Sequence, residues 1–240
     1  AMALPIAPAR ERMRSGEPVN AAASETLQTH GWWIASRASG LLALVLVTIS
    51  VGIGLMMAGK VMRRPGLSRK LLAIHEHTAV AGIIAIAVHG ITLLGDPWLN
   101  PGLGGIAVPF TMGFRPLFTG LGIVGGYLAA LLGLSFYFRK RIGAKLWRKA
   151  HRATVFVYLL GLIHAFGAGT DASTIWFRWW VLMTAPVIGG LFVYRVLSGS
   201  AKRARSRAEE RVHQGAREHR PALPAHQRSS IHSNPVPEEA

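Results

Sequence analysis

At 240 residues, half of them hydrophobic and only 16% Asp, Glu, Lys or Arg, the chain is too apolar and too sparsely charged for an ordinary soluble domain, which is about a quarter charged. The formal net charge of +16 would point to nucleic acid in a soluble protein. Here the basic residues sit at the ends of apolar runs with no groove of interleaved base-stacking aromatics, so lipid headgroups replace nucleic acid as the expected partner. Cysteine is absent, which excludes disulfides, thiolate zinc sites, iron–sulfur clusters and c-type haem attachment, and leaves His, carboxylate or Met for any metal centre.

Residues 1–31 lack the short apolar core and small-residue cleavage site of a signal peptide and are expected to form an extracytoplasmic tail. Five apolar runs follow, roughly Trp33–Ala58, Leu71–Leu94, Pro116–Phe138, Trp147–Phe166 and Ile175–Val196. Each is long enough to cross hydrocarbon, which takes about 20 residues at 1.5 Å per residue. The first connection carries Lys60, Arg63, Arg64, Arg69 and Lys70. The third carries Arg139, Lys140, Arg141, Lys145, Arg148 and Lys149, and the segment after the last run has Arg195, Lys202, Arg203, Arg205 and Arg207. The intervening segments Gly95–Arg115 and Gly167–Thr174 hold Asp96 and Asp171 and almost no basic residue. The positive-inside rule therefore predicts a multi-pass plasma-membrane protein with its N-terminus outside and its C-terminus in the cytoplasm. Arg10, Arg12 and Arg14 run against this, but three basic segments outweigh one short mixed tail.

The seven tryptophans lie near predicted helix ends and are expected to be interfacial anchors. Gly122 and Gly126 form a small-xxx-small pair that predicts close helix packing. No internal repeat is evident. The predicted fold is an all-α, five-helix transmembrane bundle over 32–197. A cytoplasmic, mostly disordered basic tail follows over 198–240, with the fifth helix continuing briefly through Arg211. His213, His219, His226 and His232 in that tail are expected to be solvated.

Ionisable or ligating side chains within lipid-length segments cost free energy and invite a functional explanation. His75 and His89 in the second run are 14 positions apart, about 21 Å along a helix and about 40° from one face. His151 and His164 in the fourth run are 13 apart, about 20 Å. The two runs share a direction, so His75 and His151 fall at one depth and His89 and His164 at the other. Facing histidines at each level can supply the two axial nitrogens of a haem iron, and two b-type haems at two depths make a path for electrons. A 13-residue step also rotates His164 by about 140° from His151 in a regular helix. The fourth helix must then be overwound, or its two sites use different flanks. His77 competes with His75 but lies about 120° from the face of His89. The competing readings are histidines used structurally in a haem-free transporter or scaffold, and a direct ferric or oxygen reductase acting at the outer haem.

The pattern HEHTAVAGIIAIAVHG followed by KLWRKAHRATVFVYLLGLIHA resembles the ferric reductase-like transmembrane domain family, which includes NADPH oxidases and ferric reductases. The likeness covers about Ser36 to Val196 and rests on the two histidine spacings. It implies two haems ligated by His75, His89, His151 and His164. Family members commonly have six helices, and many continue into flavin and nicotinamide domains. Here only about 45 residues follow the last run, and no Gly-rich dinucleotide fingerprint is present. The resemblance is closest to the stand-alone haem-binding membrane subunit. Electrons would come from a cytoplasmic flavoprotein reductase, a quinol or diffusible reduced flavin, and pass to an extracytoplasmic acceptor protein or small oxidant.

Haem propionates need cationic partners. Arg148, Lys149 and especially Arg152 are candidates at the inner level, and Arg37, Arg115 and Arg178 at the outer level, with Arg37 favoured because it sits just inside an apolar helix. Phe156 and Tyr158 lie between the two depths and are candidates to bridge them. Asp96, before Pro97, is expected to start a turn.

Overall fold

A computed structural model describes residues 19–59, 61 and 66–218. Residues 1–18 of the expected outer tail, the basic residues Lys60, Arg63 and Arg64, and the tail from 219 with His219, His226 and His232 lie outside the described residues. Among the described residues the chain is all α-helix apart from short 3-10 turns, loops and connections, with no strand. The helices are α1 (Val19–Gly59), α2 (Leu67–Thr92), α3 (Gly102–Ala107), α4 (Pro116–Leu134), α5 (Arg139–Ile142), α6 (Ala144–His151), α7 (Thr154–Ala168) and α8 (Ile175–Glu218). Five stretches are long and apolar enough to cross a membrane: His30–Gly59, Leu67–Gly95, Pro116–Leu134, Ala144–Ala168 and Ile175–Gln214. The protein is thus an all-α membrane protein of five spans.

Three boundaries differ from the sequence expectation. α1 begins at Val19, inside the predicted tail, where Ala21, Ala22, Ala23 and Glu25 are good helix formers. α8 runs past Arg211 to Glu218 through an Ala-, Arg- and Glu-rich stretch of equally high propensity. The fourth span is two helices, α6 and α7, separated at Arg152 and Ala153.

The bundle extends through Phe192, and the remainder of α8 from Val193 forms a second unit. Within the bundle α1 packs along α2, α4 along α7, and α1 also meets α7. In lipid such association relies on close approach of small residues rather than on expulsion of water. Gly82 lets α2 reach Leu46 and Val47, Gly125 lies against Leu160, and Gly126 against Ile86. One core cluster joins Val51, Leu55, Tyr158 and Ile188, and a second joins Ala129, Leu132 and Val157. The outer faces carry Ile84, Leu131, Phe156 and Leu182, each more than half exposed, as a lipid-facing surface requires.

Candidate functional site: two facing imidazole pairs

α2 carries His75 and His89, α6 carries His151 and α7 carries His164. The ring centres of His75 and His151 are 6.0 Å apart with planes at 88°. Those of His89 and His164 are also 6.0 Å apart, with planes at 73°. The structure therefore brings the four histidines together in the two couples that the spacing predicts. His77 takes no part, being exposed, with its Nδ1 directed to Ala73 O 2.6 Å away in its own helix.

The 13-residue step in the fourth span is accommodated by its break. The Ala153 amide donates to Ala150 O and the Phe156 amide to Ala153 O, both at 2.9 Å and both spanning three residues rather than four. Such tightened turns advance about 120° per residue instead of about 100°, which overwinds the span between the two histidines. Thr154 Oγ1 donates to the His151 carbonyl at 2.9 Å, satisfying a group freed at the end of α6.

Three of the imidazoles share one kind of seat. Nδ1 of His89 donates to Ser36 O at 2.8 Å, Nδ1 of His75 to Ser50 O at 2.8 Å, and Nδ1 of His164 to Phe118 O at 2.9 Å. A carbonyl oxygen only accepts, so Nδ1 carries the proton and Nε2 keeps its lone pair for a ligand. The residue four positions after each accepting carbonyl is glycine: Gly40, Gly54 and Gly122. Helical side chains tilt toward the N-terminus, so any side chain at these positions would cover the carbonyl. An added Cβ would stand 2.9 Å from His89 Nδ1 at Gly40, 3.2 Å from His75 Cε1 at Gly54, and 2.5 Å from His164 Nδ1 at Gly122.

On α1 and α2 the seat is a repeat that is not evident from the sequence alone. Ser36 and Ser50, Gly40 and Gly54, His75 and His89, and Thr78 and Thr92 are each 14 residues apart. In both copies the serine hydroxyl donates to the histidine carbonyl at 3.3 Å and the threonine hydroxyl to the same oxygen at 3.1 Å. The antiparallel helices thus carry one device twice.

Alanine at Gly40 or Gly122 is expected to push the facing imidazole out of place, at a cost of about 1–3 kcal/mol typical of overpacking. Alanine at Gly189 or Gly190, where nothing lies within 4 Å of an added Cβ, serves as the neutral control. Thermal unfolding of the four variants in detergent checks this, and equal midpoints across the set would remove the glycine role.

The three outer-level arginines reach the last turn of α7 and the short connection after it. Arg37 Nε donates to Asp171 Oδ2 at 2.8 Å and its Nη2 to Oδ1, forming a two-pronged ion pair with a carboxylate only 6% exposed. Arg115 Nη1 donates to Gly167 O, and Arg178 Nε to Ala172 O at 3.1 Å. The Arg37 guanidinium also stands 5.2 Å over Trp33. These groups hold the 167–172 segment against the end of the bundle near His164. Arg152 is exposed on the turn after His151, with Arg148 and Lys149 exposed on α6. Phe156 is 59% exposed on the outer surface, whereas Tyr158 is buried among Val51, Leu55 and Ile188. Asp96 accepts from the amides of Trp98 and Leu99, closing the turn expected there.

Trp147 departs from the anchor role expected of it. It is half-buried and stacks on His151, with ring centres 4.8 Å apart and planes at 24°. Among the described residues no three His, Asp or Glu side chains gather as a bare metal site would need. No protein-family model, curated protein or solved structure matches the chain.

Proposed function

We propose that the chain is the membrane subunit of an electron-transfer system, holding two b-type haems through His75 with His151 and His89 with His164. The observation that carries this reading is the 6.0 Å separation of ring centres in both couples. Rings facing each other at this separation leave space between them for one metal ion, and the Nε2 lone pairs of such a couple would hold a haem iron there. Each couple offers two imidazole nitrogens and no third His, Asp or Glu among the described residues, which suits a metal whose other ligands come from outside the chain, as a porphyrin would supply them. The haem would supply reversible one-electron chemistry. The chain supplies the ligand lone pairs, fixes the three seated rings through main-chain carbonyls, and clears room for them with glycine.

Basic connections at the His75–His151 end support a cytoplasmic placement of that end in the plasma membrane. On this reading the donor is a cytoplasmic flavoprotein reductase, a quinol or reduced flavin, and the acceptor is an extracytoplasmic protein or small oxidant. The resemblance to the ferric reductase-like family points the same way. The test is an absorption spectrum of protein purified from haem-replete cells. A Soret band that sharpens and shifts on reduction, at two haems per chain, is the expected result. A stable protein without porphyrin would instead favour a transporter or scaffold with structural histidines.

A further inference from the structure

His151 differs from the other three histidines in what surrounds its ring. It ends α6, an eight-residue helix set off by Gly143 at φ 88° on one side and the overwound turn at Arg152–Ala153 on the other. Neither neighbour continues the helix, so its rotation about its own axis depends on side-chain contacts. Trp147, one turn before His151, lies on the same face. Its Nε1–H donates to Ser135 Oγ at 3.1 Å, and its ring lies 5.8 Å from Phe136. Ser135 Oγ in turn donates to Leu132 O at 2.8 Å at the end of α4. An anchoring tryptophan at a lipid interface offers its indole N–H to headgroups or water. Here that N–H is turned inward to a serine, and the flat face of the indole lies on the imidazole.

We infer that Trp147 is the positioning residue for His151. Pinned to Ser135, it sets the plane of that imidazole and holds it close to perpendicular to the ring of His75. The inference rests on reading His75 and His151 as ligands of one iron. In a low-spin ferric centre the angle between axial imidazole planes controls the splitting of the iron orbitals that overlap with them. Near-perpendicular planes leave those orbitals close in energy and give a strongly anisotropic paramagnetic signal, whereas parallel planes separate them. The 88° angle at His75–His151 therefore predicts a highly anisotropic signal, and loosening the indole stack should reduce or spread it.

The experiment is electron paramagnetic resonance with redox titration on purified full-length protein and its variants. Trp147→Leu is expected to shift and broaden the low-field signal of one centre and move its midpoint potential, leaving the second centre as it is in the parent. Trp147→Phe, which keeps a flat ring on the imidazole but loses the bond to Ser135, should shift the same centre less than Trp147→Leu does. An unchanged signal in Trp147→Leu, or equal changes at both centres, overturns the positioning role. If Trp147→Leu loses both centres, Ser135→Ala decides: a shift confined to the same single centre upholds the role, and an unaltered centre overturns it. A parent protein with no haem signal would instead sink the underlying assignment of the ligands, which keeps the two failures distinct.

Discussion

Alanine at His89 or at His164 is expected to abolish one haem centre and the same one in both cases, while alanine at His75 or His151 abolishes the other. The expectation follows from the pairing, since each ring faces only one partner at 6.0 Å. Removing either imidazole would leave the proposed haem one ligand nitrogen from the chain, and in the seated positions it takes one donor away from a main-chain carbonyl. His77→Ala should leave both centres intact, because His77 is exposed and its Nδ1 is satisfied within its own helix. Reduced-minus-oxidised spectra and haem content per chain, read across the five variants, check the pattern. Added imidazole should partly refill the lost centre if the surrounding cavity persists. The pairing is wrong if His89→Ala and His164→Ala strike different centres.

The second large effect is expected at Arg37 and Asp171. The Asp171 carboxylate is nearly excluded from solvent, and Arg37 meets it with two donors. Replacing Arg37, itself 39% exposed, with leucine leaves a largely buried carboxylate without its partner, which costs up to about 3–5 kcal/mol, the value for a fully buried pair. Asp171→Asn should be milder, since a neutral amide leaves no uncompensated charge on the loop side. The double variant Arg37→Leu with Asp171→Leu should recover much of the loss, because two apolar groups of suitable size can replace a partly buried pair with little net change. Thermal unfolding of the two single variants and the double variant measures the coupling. Because Asp171 lies shortly after α7, the centre involving His164 should weaken before the one involving His151. Additive losses in the double variant would show that the pair does not act as a unit.

The five spans were legible because each is a run of lipid-length hydropathy, and the common depths of the histidines were legible because 14 and 13 residues of helix rise by nearly the same amount. The break after His151 was not. The segment Ala150–Thr154 contains neither proline nor glycine, so nothing local marks the change from four- to three-residue hydrogen bonds. Hydropathy also reports lipid contact rather than helicity, which is why α1 and α8 extend beyond their apolar runs. The seats were hidden for another reason. Each α1 copy is only a serine and a glycine four apart, set in apolar sequence that lipid does not discriminate. Gly122 and Gly126 were both expected to serve helix packing, and Gly126 does meet Ile86, but Gly122 faces His164. The link from Arg37 to Asp171 spans 134 residues, and only its oddity, an arginine just inside an apolar helix and an acid in a connection, was visible beforehand.

The acceptors that orient His75, His89 and His164 belong to the backbone, and this shapes how the protein can drift over generations. A side chain exchanged at position 118 leaves the carbonyl where it was, whereas at 36 and 50 the serine hydroxyl also stands 3.1 Å from the ring nitrogen, so only the carbonyl half of those two seats is insulated from single-codon changes. What it cannot tolerate is a change in spacing between the helices. Bulk gained at 40, 54 or 122 acts as a wedge, parting donor from acceptor without touching either. The tuning of the rings is therefore stored in three missing methyl groups.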